Sequence, residues 1–376
     1  MKMKELYTLR EKLHQNPELA FEEHKTAAIL LEFLDKQLQK HPQNASEFKI
    51  HRFKNSPGIL IEYSAGTGAY RLFRADMDAL PIVEDTECDF ASLNHGCMHA
   101  CGHDVHMTIL MGLICRCLEL APDQNLLFLF QPAEEGKGGA MSILDEGLIQ
   151  RYEIEAVIAL HIASDMPVGT IGSRAGVFFG IPQEFDVSFR GKSAHVAFPE
   201  KGNDAIASAV AFAQMMRNDI AQLAKDERVI YHIGKIGGGS IRNVIAESCS
   251  LEGTHRSIKR EIKDKMNQLT LDNAKKAAAL TGSTFQVDFL CSYDAVVNDA
   301  GLVEQLKRAC EAEGVIYQEA EIAMTGEDFG FYTTLYPGLL YWLGSDCPHP
   351  LHSPRFLPSQ KSIDVGVALM WHLIQS

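Results

Sequence analysis

The sequence has no apolar run that approaches the roughly 18 residues a membrane-spanning helix requires; runs such as NLLFLF and VFFGI are strand-sized. Positive charge is scarce as well. Lys and Arg number 35 against 49 Asp and Glu, a net charge of −14. That balance argues against a nucleic-acid partner and against adhesion to an anionic membrane, since both need a basic face. A small-molecule partner fits it better. The 9 cysteines are odd in number and irregularly spaced, so they do not read as a disulfide framework. No basic-then-apolar leader stands at the N-terminus, and with the unpaired cysteines this leads to the expectation of a cytoplasmic protein.

What the sequence does have is a local excess of metal donors. MHACGHDVHMT, Met98 to Thr108, gathers His99, Cys101, His103, Asp104 and His106. Thiolate and imidazole are the donors preferred by zinc and related transition metals, and a neighbouring carboxylate can bind metal or orient an imidazole. A structural zinc site would need a second Cys/His pair. Cys115 and Cys117 do not supply it, because residues two apart on a helix face different directions. The cluster therefore reads as a catalytic metal site that takes its other ligands from distant segments.

At 376 residues with 46% hydrophobic composition, the chain is long enough for two buried cores. Lys4 to Gln39 reads as two helices broken at Pro17, with His14 as a cap or structural residue more readily than a functional one. Strands are expected at Phe48–Phe53, Gly58–Tyr63 and Arg71–Arg74. The third ends in RADMDAL, which places Asp76 and Asp78 at a strand's C-terminal edge, where open α/β sheets bind ligands. Asp76 is the stronger candidate, Asp78 the residue expected to cap the next turn. After a helix over Val105–Leu118, the buried strand in NLLFLFQPAEEG ends at the pair Glu134, Glu135, and the strand AVIALHIA ends at His161. Three apolar strands thus deliver carboxylates and a histidine to one sheet edge. The glycines of GKGGA lack the spacing of a phosphate loop.

From about Ser173 the pattern changes to β-α-β-β-α-β: strand Glu184–Arg190, helix Asp204–Leu223, strands Val229–Ile236 and Asn243–Arg256, helix Ile262–Leu280 and strand Thr284–Leu290. The expected fold is α/β, a catalytic α/β-sheet domain of residues 1–173 plus 291–376 with an inserted ferredoxin-like lid or dimerisation domain of residues 174–290. In the insertion, His195 is a lid residue that meets substrate or a plain loop histidine. Asn243 and Arg256 can bind a substrate carboxylate, although strand arginines often only pair across a sheet. Late in the chain HPLHSPRF offers His349 and His352, one of which closes the metal site.

The segments RADMDAL, MHACGHDVHMT, FQPAEEG, LHI, GKSAHVAFP, NVIAE, EGTHRS, GEDF and LHSP, in this order, resemble the dinuclear metallo-aminoacylase and carboxypeptidase family, within it the N-acyl-amino-acid amidohydrolases. LLFLFQPAEEG, ALHIA with PVGTI, and AMTGEDFG with YPG and WLG narrow the resemblance to deacetylases of an acetylated diamino acid on the route to lysine. The resemblance implies two divalent metal ions per subunit, bridged by Cys101 and further held by His103, Glu135, His161 and His352. It makes Glu134 the general base and Asp76 the acid that orients the metal site. Related branches carry a histidine where this chain has Arg74, so His103 takes over that ligand role. His195 matches the lid histidine that reaches the partner's active site in related dimers, which implies a homodimer through the inserted domain. The bridging thiolate favours zinc, cobalt or nickel, with manganese also admissible. The expected substrate is a small N-acetyl amino acid. A broader N-acyl-amino-acid or hippurate hydrolase is the alternative within the family, and a metal-stabilised binding protein without turnover the alternative outside it.

Overall fold

Pro17 separates the first two helices of the computed structural model, which describes residues 3–65 and 67–375. Helix α1 (Met3–His14) buries Leu6, Leu9 and Leu13, and α2 (His24–Lys40) buries Ala27, Leu30 and Leu34, each at helical spacing on one face. The chain then forms β1 (Phe48–Arg52), β2 (Ile59–Tyr63), β3 (Tyr70–Asp76), α3 (His103–Leu120), β4 (Asn125–Gln131), α4 (Gly139–Asp145), β5 (Ile154–Ala163), β6 (Thr170–Ser173) and β7 (Gly176–Phe179). Next come β8 (Ile181–Arg190), α5 (Ala205–Leu223), β9 (Ile230–Gly238), β10 (Ser248–Ser257), α6 (Arg260–Thr281) and β11 (Thr284–Ser292). The chain closes with β12 (Val296–Asn298), α7 (Ala300–Glu313), β13 (Ile316–Glu319), α8 (Gly330–Thr333), β14 (Gly338–Gly344) and α9 (Lys361–Gln375).

These elements divide into two compact units, one reaching to Phe178 and resuming over Val296–Glu321 and Asp328–Ser376, the other formed by Phe179–Ala295 and Ile322–Glu327. The junctions fall at 178/179 and 295/296 rather than at 173/174 and 290/291. The first junction lies later because β7 (Gly176–Phe179) pairs into the large sheet, and the second because β11 runs on to Ser292 in the smaller one.

In the first unit the sheet runs β1-β2-β4-β3-β5-β14-β12-β7, with β6 against β14 and β13. Its centre, β4-β3-β5-β14, is parallel. These strands are apolar along nearly their whole length because helices cover both faces of a parallel sheet. From β3 the chain moves to one neighbour, β4, and then crosses back to the other, β5. That reversal opens a crevice at the carboxyl ends of the central strands.

The second unit is a β8-α5-β9-β10-α6-β11 domain whose antiparallel sheet runs β11-β8-β10-β9, the ferredoxin-like arrangement. Asp204 caps α5 by accepting the N–H groups of Ile206 and Ala207. Strand β10 starts at Ser248, not at Asn243. Asn243 lies in an exposed turn after the glycine run, where its neighbour Val244 bridges to His195 instead of joining the ladder.

Candidate metal centre and active site

The carboxyl ends of β3, β4 and β5 bring the donors together. In the parallel register Asp76 lies opposite Gln131, so the loops after β3 and β4 leave the sheet side by side. The N-terminus of α3 meets them there. Gly102 precedes that helix with φ +86°, and a Cβ on it would stand 2.6 Å from Cγ2 of Ile162. Glycine is needed both for the left-handed backbone and for the approach to β5.

Hydrogen bonds fix the tautomers of His103 and His161. His103 Nδ1 donates to the backbone carbonyl of Asp78 at 2.8 Å, which leaves its buried Nε2 without a partner. His161 Nδ1 donates to the carbonyl of Ile162 at 2.8 Å, and its Nε2 lies 3.4 Å from Cys101 Sγ. His352, in a left-handed conformation with φ +65°, places Nε2 at 3.4 Å from Oε1 of Glu135. That Glu135 oxygen is also buried without a hydrogen bond. Cys101, His103 and His161 present donor atoms within 4.8 Å of one another, and so do Cys101, Glu135 and His352. Cys101 belongs to both sets.

A buried imidazole nitrogen and a buried carboxylate oxygen that make no hydrogen bond are costly unless a cation completes them. The residues present therefore fit a pair of metal ions. The electrostatics agree. Burial, followed by the charges of Glu135, Glu134 and Asp76, pushes the Cys101 thiol well above its usual range, and a coordinated divalent ion reverses that preference. Burial alone would depress His103, but Asp76, Asp78 and Glu135 push it up to about 10; the surrounding carboxylates thus favour a positive charge at this ring, a proton that a divalent ion would displace. His161 is driven down to about 3, chiefly by burial, which keeps it neutral as a ligand must be.

Asp76, His103 and His106 form a further group of close donors, but both nitrogens of His106 are engaged. Nδ1 donates to Asp76 Oδ1 at 2.6 Å and Nε2 accepts the N–H of Ile162 at 2.9 Å. His106 therefore braces the segment carrying His161. Asp76 is held in turn by Arg74, whose guanidinium also reaches Gln131 Oε1 at 2.9 Å and Asp328 Oδ1 at 2.7 Å. Asp76 is fully buried. Burial works against its ionisation, yet His103, His106 and Arg74 hold its carboxyl well below the ordinary value.

Glu134 and Glu135 are fixed through their backbone. Asp78 Oδ1 accepts the N–H of Glu134 at 3.0 Å and Oδ2 that of Glu135 at 2.9 Å. Ala133, just before them, has φ +59°, and its N–H is bound by Glu23 at 2.8 Å. Asp78 therefore acts on the acidic pair and on His103, a larger part than the turn cap expected of it. Sequence reasoning also passed over Glu23, Gln131, the part of Arg74 as an anchor, that of His106 as a brace rather than a donor, and Asp328. The last had a signal in GEDF, but no local pattern tells which distant arginine that acid meets.

His195, Asn243 and Arg256 belong to the second unit. His195 is exposed, with Nδ1 accepting the N–H of Ala197 at 3.1 Å, and the carbonyl of Asn243 accepts the N–H of Val196. These two loops are adjacent. Arg256, half-buried on β10, donates from NH1 to the carbonyl of Met324 at 3.1 Å. His349 stands apart from the donor cluster, lining a cavity with Asp85, Cys347 and Arg355.

A two-domain α/β architecture with such a donor cluster defines a metal-dependent hydrolase class, and residues 72–376 match peptidase family M20/M25/M40. The chain belongs to that family. It is 38% identical over 381 residues to the N-acetyldiaminopimelate deacetylase of Oceanobacillus iheyensis, covering 100% of both chains. It is 36% identical over 374 residues to the enzyme of that name from Bacillus subtilis, covering 98% of each. A structure described as a dinuclear metal-binding peptidase of the M20 family, from Bacillus subtilis, superposes with a TM-score of 0.84 at 27% identity, over 99% of this chain and 97% of the other. A putative aminohydrolase from methicillin-resistant Staphylococcus aureus gives 0.90 at 26% identity, over 99% and 96%. Among the described residues no helix is long and apolar enough to cross a membrane.

Proposed function

We propose that this chain is a metal-dependent amide hydrolase that removes the acetyl group from N-acetyl-LL-2,6-diaminopimelate, giving LL-2,6-diaminopimelate and acetate on the route to lysine in the cytoplasm. The observation that carries the reading is the acidic pair Glu134 and Glu135, held by one carboxylate, Asp78, beside Cys101 and His103. Full-length similarity to proteins named N-acetyldiaminopimelate deacetylase supports the substrate.

Cys101, His103 and His161 would hold one divalent ion, and Cys101, Glu135 and His352 a second, with zinc, cobalt, nickel or manganese as candidates. When bound, such ions supply Lewis acidity towards the acetyl carbonyl and acidify water. Glu134 takes the attacking water's proton and returns it to the leaving nitrogen. Asp76, through His106 and Arg74, keeps the ligand frame rigid. His195 offsets the charge that develops on the carbonyl oxygen, and Asn243 with Arg256 holds the α-carboxylate of the amino acid.

A homodimer is part of the proposal. Strand β9 is an edge of the second sheet and exposes Ile230 and Ile236. Exposed Val210 and Ile206 on α5 add apolar surface in the same unit. An open edge of this kind invites pairing with a second copy.

The test is acetate release from N-acetyl-LL-diaminopimelate by metal-loaded protein, beside a chelator-stripped sample and the Glu134→Gln variant. Metal-dependent release that falls about 10²–10⁴-fold in the variant while metal stays bound is expected. Equal turnover of hippurate would replace the substrate with the broader acylase, and full activity in the variant would overturn the mechanism. No release from any acyl amino acid would leave a metal-stabilised binding protein.

A further inference from the structure

A row of residues crosses the large sheet outward from the donor cluster. His161 on β5 stands opposite Trp342 on β14, Trp342 opposite Gly172 on β6, and Gly172 opposite Gln318 on β13. Residues in register share one face of a sheet, and neighbouring strands lie about 4.8 Å apart. The rings of His161 and Trp342 meet edge to face, with centroids 5.2 Å apart. Gly172 interrupts the row of side chains. A Cβ on it would stand 3.4 Å from Cβ of Trp342 and 3.3 Å from Cε of Met166, so its absence leaves space between the tryptophan and β13.

A cavity of about 380 Å³ occupies this region, within the first unit. Its apolar wall is Trp342, Met166 and Leu351, the residue before the proposed ligand His352, and its charged wall is Asp165, Glu319 and Glu321. Among the described residues that line it there is no Lys or Arg. The backbone holds both acidic segments in place. The carbonyl of Met166 accepts the N–H groups of Ser345 at 2.9 Å and Asp346 at 3.1 Å, and Ala320 donates its N–H to the carbonyl of Ser173 at 2.9 Å. Acids on exposed loops are ordinarily just solvated. These converge on one partly apolar space that adjoins two proposed metal ligands, and an apolar pocket with a few convergent polar groups is the usual form of a small-molecule site. Three like charges around it favour a cation, for which Trp342 adds an aromatic surface.

We propose that this cavity is a specificity pocket for a primary ammonium at the far end of the substrate's side chain. The proposal rests on the deacetylase reading and names what that site recognises beyond the acetylated amine. In N-acetyl-LL-2,6-diaminopimelate six single bonds separate the scissile nitrogen from the second nitrogen, about 7.5 Å when extended. Two strand spacings, about 9.6 Å, separate His161 from Gly172, so a substrate held beside His161 reaches past Trp342 into the cavity. The carboxylate on the same carbon as the ammonium has a guanidinium next to the pocket, since Arg174 donates from Nη1 to the carbonyl of Ala320 at 3.3 Å. A substrate without the ammonium leaves the acids unpaired, which is how a polar pocket discriminates against an analogue that lacks one group.

Nα-Acetyl-L-lysine and N-acetyl-L-norleucine test this, because they share a six-carbon chain and differ only in the terminal ammonium, which the lysine derivative carries six bonds from the scissile nitrogen. In the metal-loaded wild type, kcat/KM should favour the lysine derivative. Glu319→Gln combined with Glu321→Gln should lower that preference about tenfold or more, through KM, and Asp165→Asn should lower it further. All three acids are exposed, so the amides are compatible with the fold. A merely structural role would not move the ratio between two substrates. Equal kcat/KM for the two in wild type, or a preference that survives in the double variant, would overturn the proposal. Failure of the deacetylase reading looks different, with acetate released from no substrate. Calorimetric titration of free lysine against norleucine then reads the pocket directly: tighter lysine binding that the double variant loses supports it, and equal binding overturns it.

Discussion

Asp78 accepts the backbone N–H of Glu134 at 3.0 Å, and its other oxygen does the same for Glu135 at 2.9 Å. One buried carboxylate thus sets the proposed base and a proposed ligand in a fixed relation, while its backbone carbonyl orients His103. Asp78→Asn keeps one acceptor and turns an amide N–H against the other donor. The expected result is metal affinity weakened about 10–100-fold and kcat reduced with it, at unchanged secondary structure. Metal titration with steady-state kinetics checks this, and wild-type metal affinity in the variant would reduce Asp78 to a turn cap.

Glu23 carries a pH prediction. Its Oε1 binds the N–H of Ala133, its Oε2 is buried without a partner, and burial followed by the charge of Asp78 pushes its carboxyl up to about 8 from 4.5. A carboxyl raised on folding contributes stability that is complete below its unfolded value and is lost as pH rises to the folded value. Across the window from about 4.5 to 8, stability should therefore fall, by at most about 1.4 kcal/mol per pH unit. Glu23→Gln retains the acceptor without the charge. Denaturant unfolding of the metal-free proteins at pH 5 and pH 8 should show a smaller loss in the variant, whereas equal losses would remove Glu23 as the cause.

The contrast between Asp76 and Asp78 shows where the sequence is legible. Apolar runs ending in acids announce β3, β4 and β5 and the edge they share, because a strand buried on both faces tolerates polar groups only at its ends. The βαββαβ order of the second unit is equally plain from its periodicity. Which of two acids at i and i+2 turns towards which backbone amide is settled by tertiary contacts. Arg74 with Asp328, 254 residues apart, is a case at the site itself. Asn243 fails for a local reason. The glycines before it make a turn, so apolar alternation resumes only after it, at β10.

Gly102 tests the junction between α3 and β5. With φ +86° and Ile162 2.6 Å from where a Cβ would stand, Gly102→Ala combines left-handed strain of about 1–2 kcal/mol with a clash against the residue that follows His161. Lower thermal stability and weaker metal binding should appear together. If stability falls while metal affinity holds, the glycine serves the helix start alone.

His195 tests the proposed dimer and the proposed catalytic part at once. If it stabilises the oxyanion, His195→Ala should lower kcat about 10²–10³-fold with little change in KM. Glu134→Gln is defective for a different reason, so the two variants can be mixed. Should His195 serve the partner's centre, a mixed dimer contains one site with intact Glu134 from one protomer and intact His195 from the other. Subunit exchange at equal mixing then restores about a quarter of the wild-type rate. Should His195 serve its own protomer, no mixed dimer has a whole site, and the mixture stays at the average of its components. Ile236→Lys, on the exposed edge strand β9, should yield a monomer by light scattering and, introduced into both variants, prevent the recovery. A monomeric wild type would remove the shared site altogether.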